Sequence, residues 1–227
     1  MTGWQEFALA LGAFMLSHLV PRIGGLRDRL IQAMGRRVYF ALYGALSLAL
    51  LAWVIAAAGR APYVALWDQA AWTRWAPFLL TPVVFVLTAC GIGSPLPDSL
   101  GGSRKRAFDP GWPGFAAISR HPLLLALVLW AGAHVLPNGD LAHVVLFGLF
   151  AAFPLLAIWA FDRRAMKTYS AQQLQSAPIL SLRPLVTLDW WRSNARSVLI
   201  RAAIGLVLWV GALHLHGPVI GVWPFPN

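Results

Sequence analysis

The sequence predicts an all-α membrane protein, a polytopic transmembrane bundle of about six helical spans with both termini outside. Three observations predict it. Of 227 residues, 59% are apolar and 11% are charged, whereas a soluble domain carries about 25% charge. The apolar residues gather in runs long enough to cross a hydrocarbon core of about 30 Å. The lysines and arginines concentrate in alternate loops, as a membrane topology requires. One transmembrane domain over 1–227 accounts for the chain. The formal charge of +10 would attract nucleic acid, but no soluble module is left to carry such a site, so the expected partner is the lipid bilayer and not nucleic acid.

The first span is expected over 4–20, with Glu6 and His18 as its ionisable side chains and Pro21 as its stop. No positive charge precedes it, so a cleaved signal peptide is not expected. A basic loop follows, with Arg22, Arg27, Arg29, Arg36 and Arg37 against Asp28. The second span covers 38–58 and begins with Tyr39 and Tyr43 on one helical face. The loop 59–75 holds Trp67, Trp72 and Trp75 and reads as interfacial. The third span, 76–92, contains Pro77 and Pro82 and is expected to kink. The loop 93–119 is rich in Gly and Pro, carries Arg104-Lys105-Arg106, and has the length of a functional or mobile loop.

The fourth span is the stretch Ile118 to Pro137. It opens on Arg120-His121-Pro122, runs through an apolar middle and ends on His134. The two histidines are 13 residues apart, roughly 20 Å along a continuous helix. After a tight turn at Asn138-Gly-Asp140, the fifth span covers 141–161, with His143 near its start and Pro154 inside, and it ends at Asp162-Arg163-Arg164. A basic amphipathic segment with Trp190 and Trp191 leads to the sixth span, 197–214.

Orientation follows from the cations. The loops after the first, third and fifth spans, with their flanking helix ends, hold 16 Lys and Arg, and the other side holds two, Arg60 and Arg74. The basic loops therefore face the cytoplasm of a bacterial inner membrane. His18 and His121 fall near that face, and His134, His143, His214 and His216 near the outer one.

An imidazole within an apolar span can ligate a metal or haem, carry protons, or bond a neighbouring helix. Arg120 beside His121 would suit an anionic carboxylate such as a haem propionate; the same group also serves as a positive-inside anchor and a helix start. The single cysteine, Cys90, excludes an intramolecular disulfide and a thiolate cluster. The sequence offers no Gly-rich phosphate loop and no carboxylate pair inside the membrane, which argues against hydrolytic acid/base chemistry.

Several short motifs, in order and spacing, carry a resemblance. They are Phe14-Met-Leu-Ser-His18, Gly35-Arg-Arg-Val-Tyr39 with Ser47, Ile118-Ser-Arg-His-Pro122, Trp130-Ala-Gly-Ala-His134, and Asp162-Arg-Arg164 with Lys167 and Tyr169. Through them the chain resembles the NnrU family of integral membrane proteins, and more distantly plant 15-cis-zeta-carotene isomerase. The family resemblance implies a link to denitrification and nitric oxide metabolism, with a nitric-oxide-handling complex as a partner. The isomerase resemblance implies haem b between two histidines, acting on a hydrophobic small molecule. Those ligand positions fall on His18 and His134, with Arg120 steadying a propionate. Where the isomerase has a cysteine three residues before its second ligand, this chain has Ala131. Depth in the membrane pairs His18 with His121 instead, so His121 stands as the substitute ligand.

A second resemblance is to membrane methyltransferases of the isoprenylcysteine carboxyl methyltransferase type. It implies S-adenosylmethionine bound near Arg120 and His121, with Asp162 as the acidic residue. A third class is a non-enzymatic membrane assembly factor whose histidines only pack.

Overall fold

The structure is a computed structural model that describes residues 2–103 and 105–226. Arg104 and the side chain of Arg22, both counted in the basic loops, lie outside the description. The described residues form eight α-helices joined by 3-10 turns and loops, and no strand beyond one isolated bridge. Four helices are long and apolar enough to cross a membrane. The chain contacts divide it into two compact units, 1–68 with 139–146, and 69–138 with 147–227.

The first unit is built on α1, Gly3–Leu19, and α3, Arg36–Arg60. Thr2 and Gln5 close a capping box at the start of α1, each side chain bonding the other's backbone N–H. Phe7 and Ala10 of α1, and Val54, Ala57 and Ala58 of α3, are buried in this unit. Glu6 accepts from Trp53 Nε1–H at 3.2 Å and from Arg60 at 2.5 and 3.1 Å. That fork ties the first turn of α1 to the last turn of α3, so the two helices run antiparallel. The basic loop is partly helical: α2 spans Leu26–Met34, between Gly25 and Gly35, whose φ values of 73° and 81° favour glycine. The sequence pattern hid it because α2 is short and half polar.

The segment 139–141 is pinned within the same unit. Leu66 N–H donates to Gly139 O at 2.7 Å and Leu141 N–H to Val64 O at 2.9 Å. A Cβ on Gly139 would collide with the carbonyl and indole of Trp67, so this backbone approach requires glycine.

The second unit is organised by α4, Trp75–Gly91, which packs against α5, Pro122–Val135, and α8, Leu188–Ile220. Val84 and Leu87 of α4 bury against Ala126 of α5. Where α4 and α8 approach, a Cβ on Gly205 would lie 2.8 Å from Phe85 O. Trp209 Nε1–H donates to Thr81 Oγ1 at 3.0 Å, and Arg201 donates to the carbonyls of Ala89 and Ile92 at 3.0 and 2.6 Å. Arg201 thus satisfies carbonyls at the end of α4 that its own helix leaves unpaired.

Several boundaries differ from expectation. The helices Arg36–Arg60, Ala71–Gly91, Leu141–Thr168 and Leu188–Ile220 answer the expected second, third, fifth and sixth spans. α1 has 17 residues and α5 has 14, about 26 and 21 Å of helix. α5 starts only at Pro122 because residues 118–120 pair elsewhere: Arg120 N–H donates to Pro178 O and Ser181 N–H to Ile118 O. α6, Leu141–Thr168, runs past 161 and carries Asp162-Arg163-Arg164 within the helix. α8 absorbs the amphipathic segment from 188 onward into one 33-residue helix. The loop 93–119 is packed: Leu96, Phe108 and Ala116 form a buried cluster with Ala177, on which Tyr169 sits. The remaining short helix, α7, Ala171–Gln175, follows a Ser170 capping box.

Candidate functional site

One polar cluster lies inside the second unit, at the head of α5. His121 is the N-cap of α5 and Pro122 its first helical residue, where the missing N–H costs nothing. His121 is fully buried and Arg120 nearly so. Arg120 forks onto Asp162 of α6, Nε to Oδ1 at 2.7 Å and Nη2 to Oδ2 at 2.8 Å. Its Nη1 donates to Ala177 O at 2.8 Å. His121 Nε2 lies 2.7 Å from Asp162 Oδ1, and its Nδ1 lies 2.8 Å from Ser99 Oγ.

The protons follow from these partners. An ionised carboxylate only accepts, so His121 Nε2 carries hydrogen and donates to Asp162. Arg120 already balances the charge of Asp162. A second proton on the buried imidazole would leave an uncompensated cation, which is costly. The imidazole is therefore neutral, its Nδ1 accepts, and Ser99 O–H donates to it. The cluster is a chain of hydrogen bonds from Ser99 through His121 and Asp162 to Arg120. It fastens the loop 93–119, the head of α5, the middle of α6 and the segment 177–178 to one another. Each guanidinium nitrogen of Arg120 makes one of these bonds, and one N–H on each Nη is left over.

The remaining histidines have a different environment. His18 on α1 holds its Nδ1 2.8 Å from Phe14 O, four residues back, with Ser17 Oγ at 3.1 Å. Its ring packs against Phe14 and edge-on to Tyr43, at 4.5 and 5.7 Å between centres. His134 on α5 holds its Nδ1 2.6 Å from Trp130 O, again four residues back. Its ring lies 5.1 Å from Trp130 and stacks on Phe147 at 5.3 Å. A carbonyl only accepts, so each Nδ1 carries the hydrogen and each Nε2 is left with a bare lone pair. No fully buried side-chain nitrogen among the described residues lacks a partner, so these unbonded Nε2 atoms are not completely enclosed. His18 belongs to the first unit and His134 to the second. His214 bonds Val210 O in the same i−4 manner on the exposed part of α8, and His216 bonds Val222 O. His143 pairs with Asp140, three residues before it.

The chemistry of these donors would suit haem. A metal-bound imidazole typically gives its second N–H to a carbonyl, which fixes the ring and the tautomer, and His18 and His134 have that arrangement. Aromatic rings flank both. Among the described residues no group of three or more His, Cys, Asp or Glu gathers for a multi-ligand metal ion; a haem needs only one or two imidazoles. His121 has no free nitrogen, so as a substitute ligand it would have to give up Ser99 or Asp162. The sequence identified Arg120, His121 and Asp162 but not Ser99 or the Ala177 carbonyl, and no local signal joins either to the cluster.

A family model described as NnrU protein matches residues 6–224, nearly the whole chain. No curated protein and no solved structure matches it.

Proposed function

The chain belongs to the NnrU family, and from that premise we propose that it is a haem b-binding protein of the bacterial inner membrane serving nitric oxide metabolism or a redox-type isomerisation. In this reading it is one domain of six spans with both termini outside; α1 and α5 count as spans beside the four longer helices. The strong split of cations between loops supports that orientation. His18 and His134 are the ligand candidates, each able to hold a haem through its own imidazole, because in this topology they stand near opposite faces of the membrane. The observation that carries the reading is their shared geometry: each Nδ1–H is anchored on the carbonyl four residues back, and each Nε2 is left without a hydrogen bond.

Bound haem would supply one-electron chemistry and a site for a small ligand such as nitric oxide. The chain supplies the fixed imidazoles with aromatic rings beside each, Phe14 and Tyr43 at His18 and Trp130 and Phe147 at His134. A hydrophobic substrate, or a nitric-oxide-handling complex, would approach from within the bilayer. The test is the absorption spectrum of detergent-purified protein expressed with ample haem, oxidised and dithionite-reduced. A b-type spectrum altered in His134→Ala, in His18→Ala or in both is expected, and a colourless wild type would rule the reading out.

The assembled trio of Arg120, His121 and Asp162 favours a second reading, methyl transfer from S-adenosylmethionine at the head of α5. It calls for a rise in thermal stability with added S-adenosylmethionine, because a ligand of the folded state alone stabilises that state. A protein with neither colour nor such a response would be a non-enzymatic assembly factor.

A further inference from the structure

We propose that the groove between α1, α2 and α3 is a binding site for an anionic phospholipid, with one acyl chain in the groove and the phosphate on Arg27 and Arg36. The inference uses only the first unit and does not rest on the haem reading, although Ser17 and Tyr43, which contact His18, also line the groove. The groove has a volume of about 260 Å³ and is lined by Ser17, Leu30, Met34, Tyr39, Leu42 and Leu46, among others. Leu42 and Leu46, one helical turn apart on α3, are 58% and 50% exposed. Large apolar side chains at this spacing form a surface suited to a hydrocarbon chain.

Charge on the two helices that wall the groove, α2 and α3, names the ligand. The guanidinium carbons of Arg27 and Arg36 lie 5.6 and 5.3 Å from the centre of the same ring, Phe40. The ion pairs among the described residues involve Arg60, Arg120, His121, His143 and Arg192, and neither of these two arginines. Two cations beside one ring make a local excess of positive charge that an anion would neutralise. The one acid in the segment 21–37 is Asp28, against five arginines.

The helix α2 joins the charged part to the apolar part. Arg27, Leu30 and Met34 stand at i, i+3 and i+7 and share a face. That face reads from cation to hydrocarbon along its length, so its complement has an anionic head and an apolar tail. Gly25 and Gly35, with their positive φ, let α2 turn out of α1 and back into α3 and keep this face beside the groove. A phosphodiester matches guanidinium geometry, which recognises phosphate through paired N–H donors. In a bilayer the molecule of that description is an anionic phospholipid.

The test counts lipids bound to the purified full-length protein by native mass spectrometry, titrating phosphatidylglycerol or phosphatidylcholine into neutral detergent. Wild type is expected to retain phosphatidylglycerol preferentially. Arg27→Gln with Arg36→Gln should weaken that binding about thirtyfold, from the contribution of two arginines near a lipid phosphate. Arg192→Gln with Arg196→Gln removes the same charge from α8 and should leave it unchanged. Leu42→Trp, which fills the groove without changing charge, should also weaken it. Equal retention of the two lipids by wild type would overturn the proposal and needs no variant. Equal weakening by the two arginine pairs would overturn it too, because attraction would then be diffuse, as would displacement of phosphatidylglycerol by a copurifying amphiphile of another class.

Discussion

The two ends of α5 each carry an imidazole, and the chain treats them in opposite ways. At the head, His121 is fully buried and both ring nitrogens are bonded to side chains from distant parts of the sequence, Ser99 and Asp162. At the tail, His134 bonds one nitrogen to its own helix and leaves the other free. A histidine whose nitrogens are both used joins segments together. One held at a single nitrogen keeps a lone pair to offer. The same residue type on one helix thus has a structural role at one end and a ligand's geometry at the other.

The comparison can be broken first at the head. Asp162→Asn removes the carboxylate that Arg120 and His121 share and leaves the guanidinium buried without its counter-charge. Thermal or denaturant unfolding in detergent should show a loss of about 3–5 kcal/mol. Ser99→Ala is smaller: it strips the donor from a buried Nδ1 and should cost about 1–3 kcal/mol by the same measurement. His134→Ala, at the tail, gives up ring packing on Trp130 and Phe147 and no ion pair. In haem-free protein it should cost about 1 kcal/mol. If His134→Ala destabilised the haem-free protein as much as Asp162→Asn, the two ends would not differ in kind.

What was legible in the sequence divides along a physical line. The long helices were legible because hydropathy over some twenty residues is a strong local signal. Their ends were less so. α6 continues through Asp162-Arg163-Arg164 because each charge finds a partner: Asp162 holds Arg120 and His121, Arg163 lies over Trp159 at 4.0 Å and Arg164 over Phe161 at 5.9 Å. Hydropathy falls there although the helix does not stop. α2 was missed because nine residues with a polar face give no span signal. At the site, the i−4 bonds of His18 and His134 are within reach of helical periodicity, since partner and imidazole lie one turn apart. Ser99 was out of reach because it meets His121 across 22 residues of loop. The carbonyl of Ala177, 57 residues from Arg120, was equally hidden.

The central claim is that His134 offers a ligand nitrogen and His121 does not. The most direct measurement is the reduced-minus-oxidised absorption spectrum of wild type, His134→Ala and His121→Phe, each purified after expression with ample haem. The account predicts a b-type spectrum that His134→Ala alters or abolishes and that folded His121→Phe retains. A spectrum unchanged in His134→Ala and lost in folded His121→Phe would contradict it.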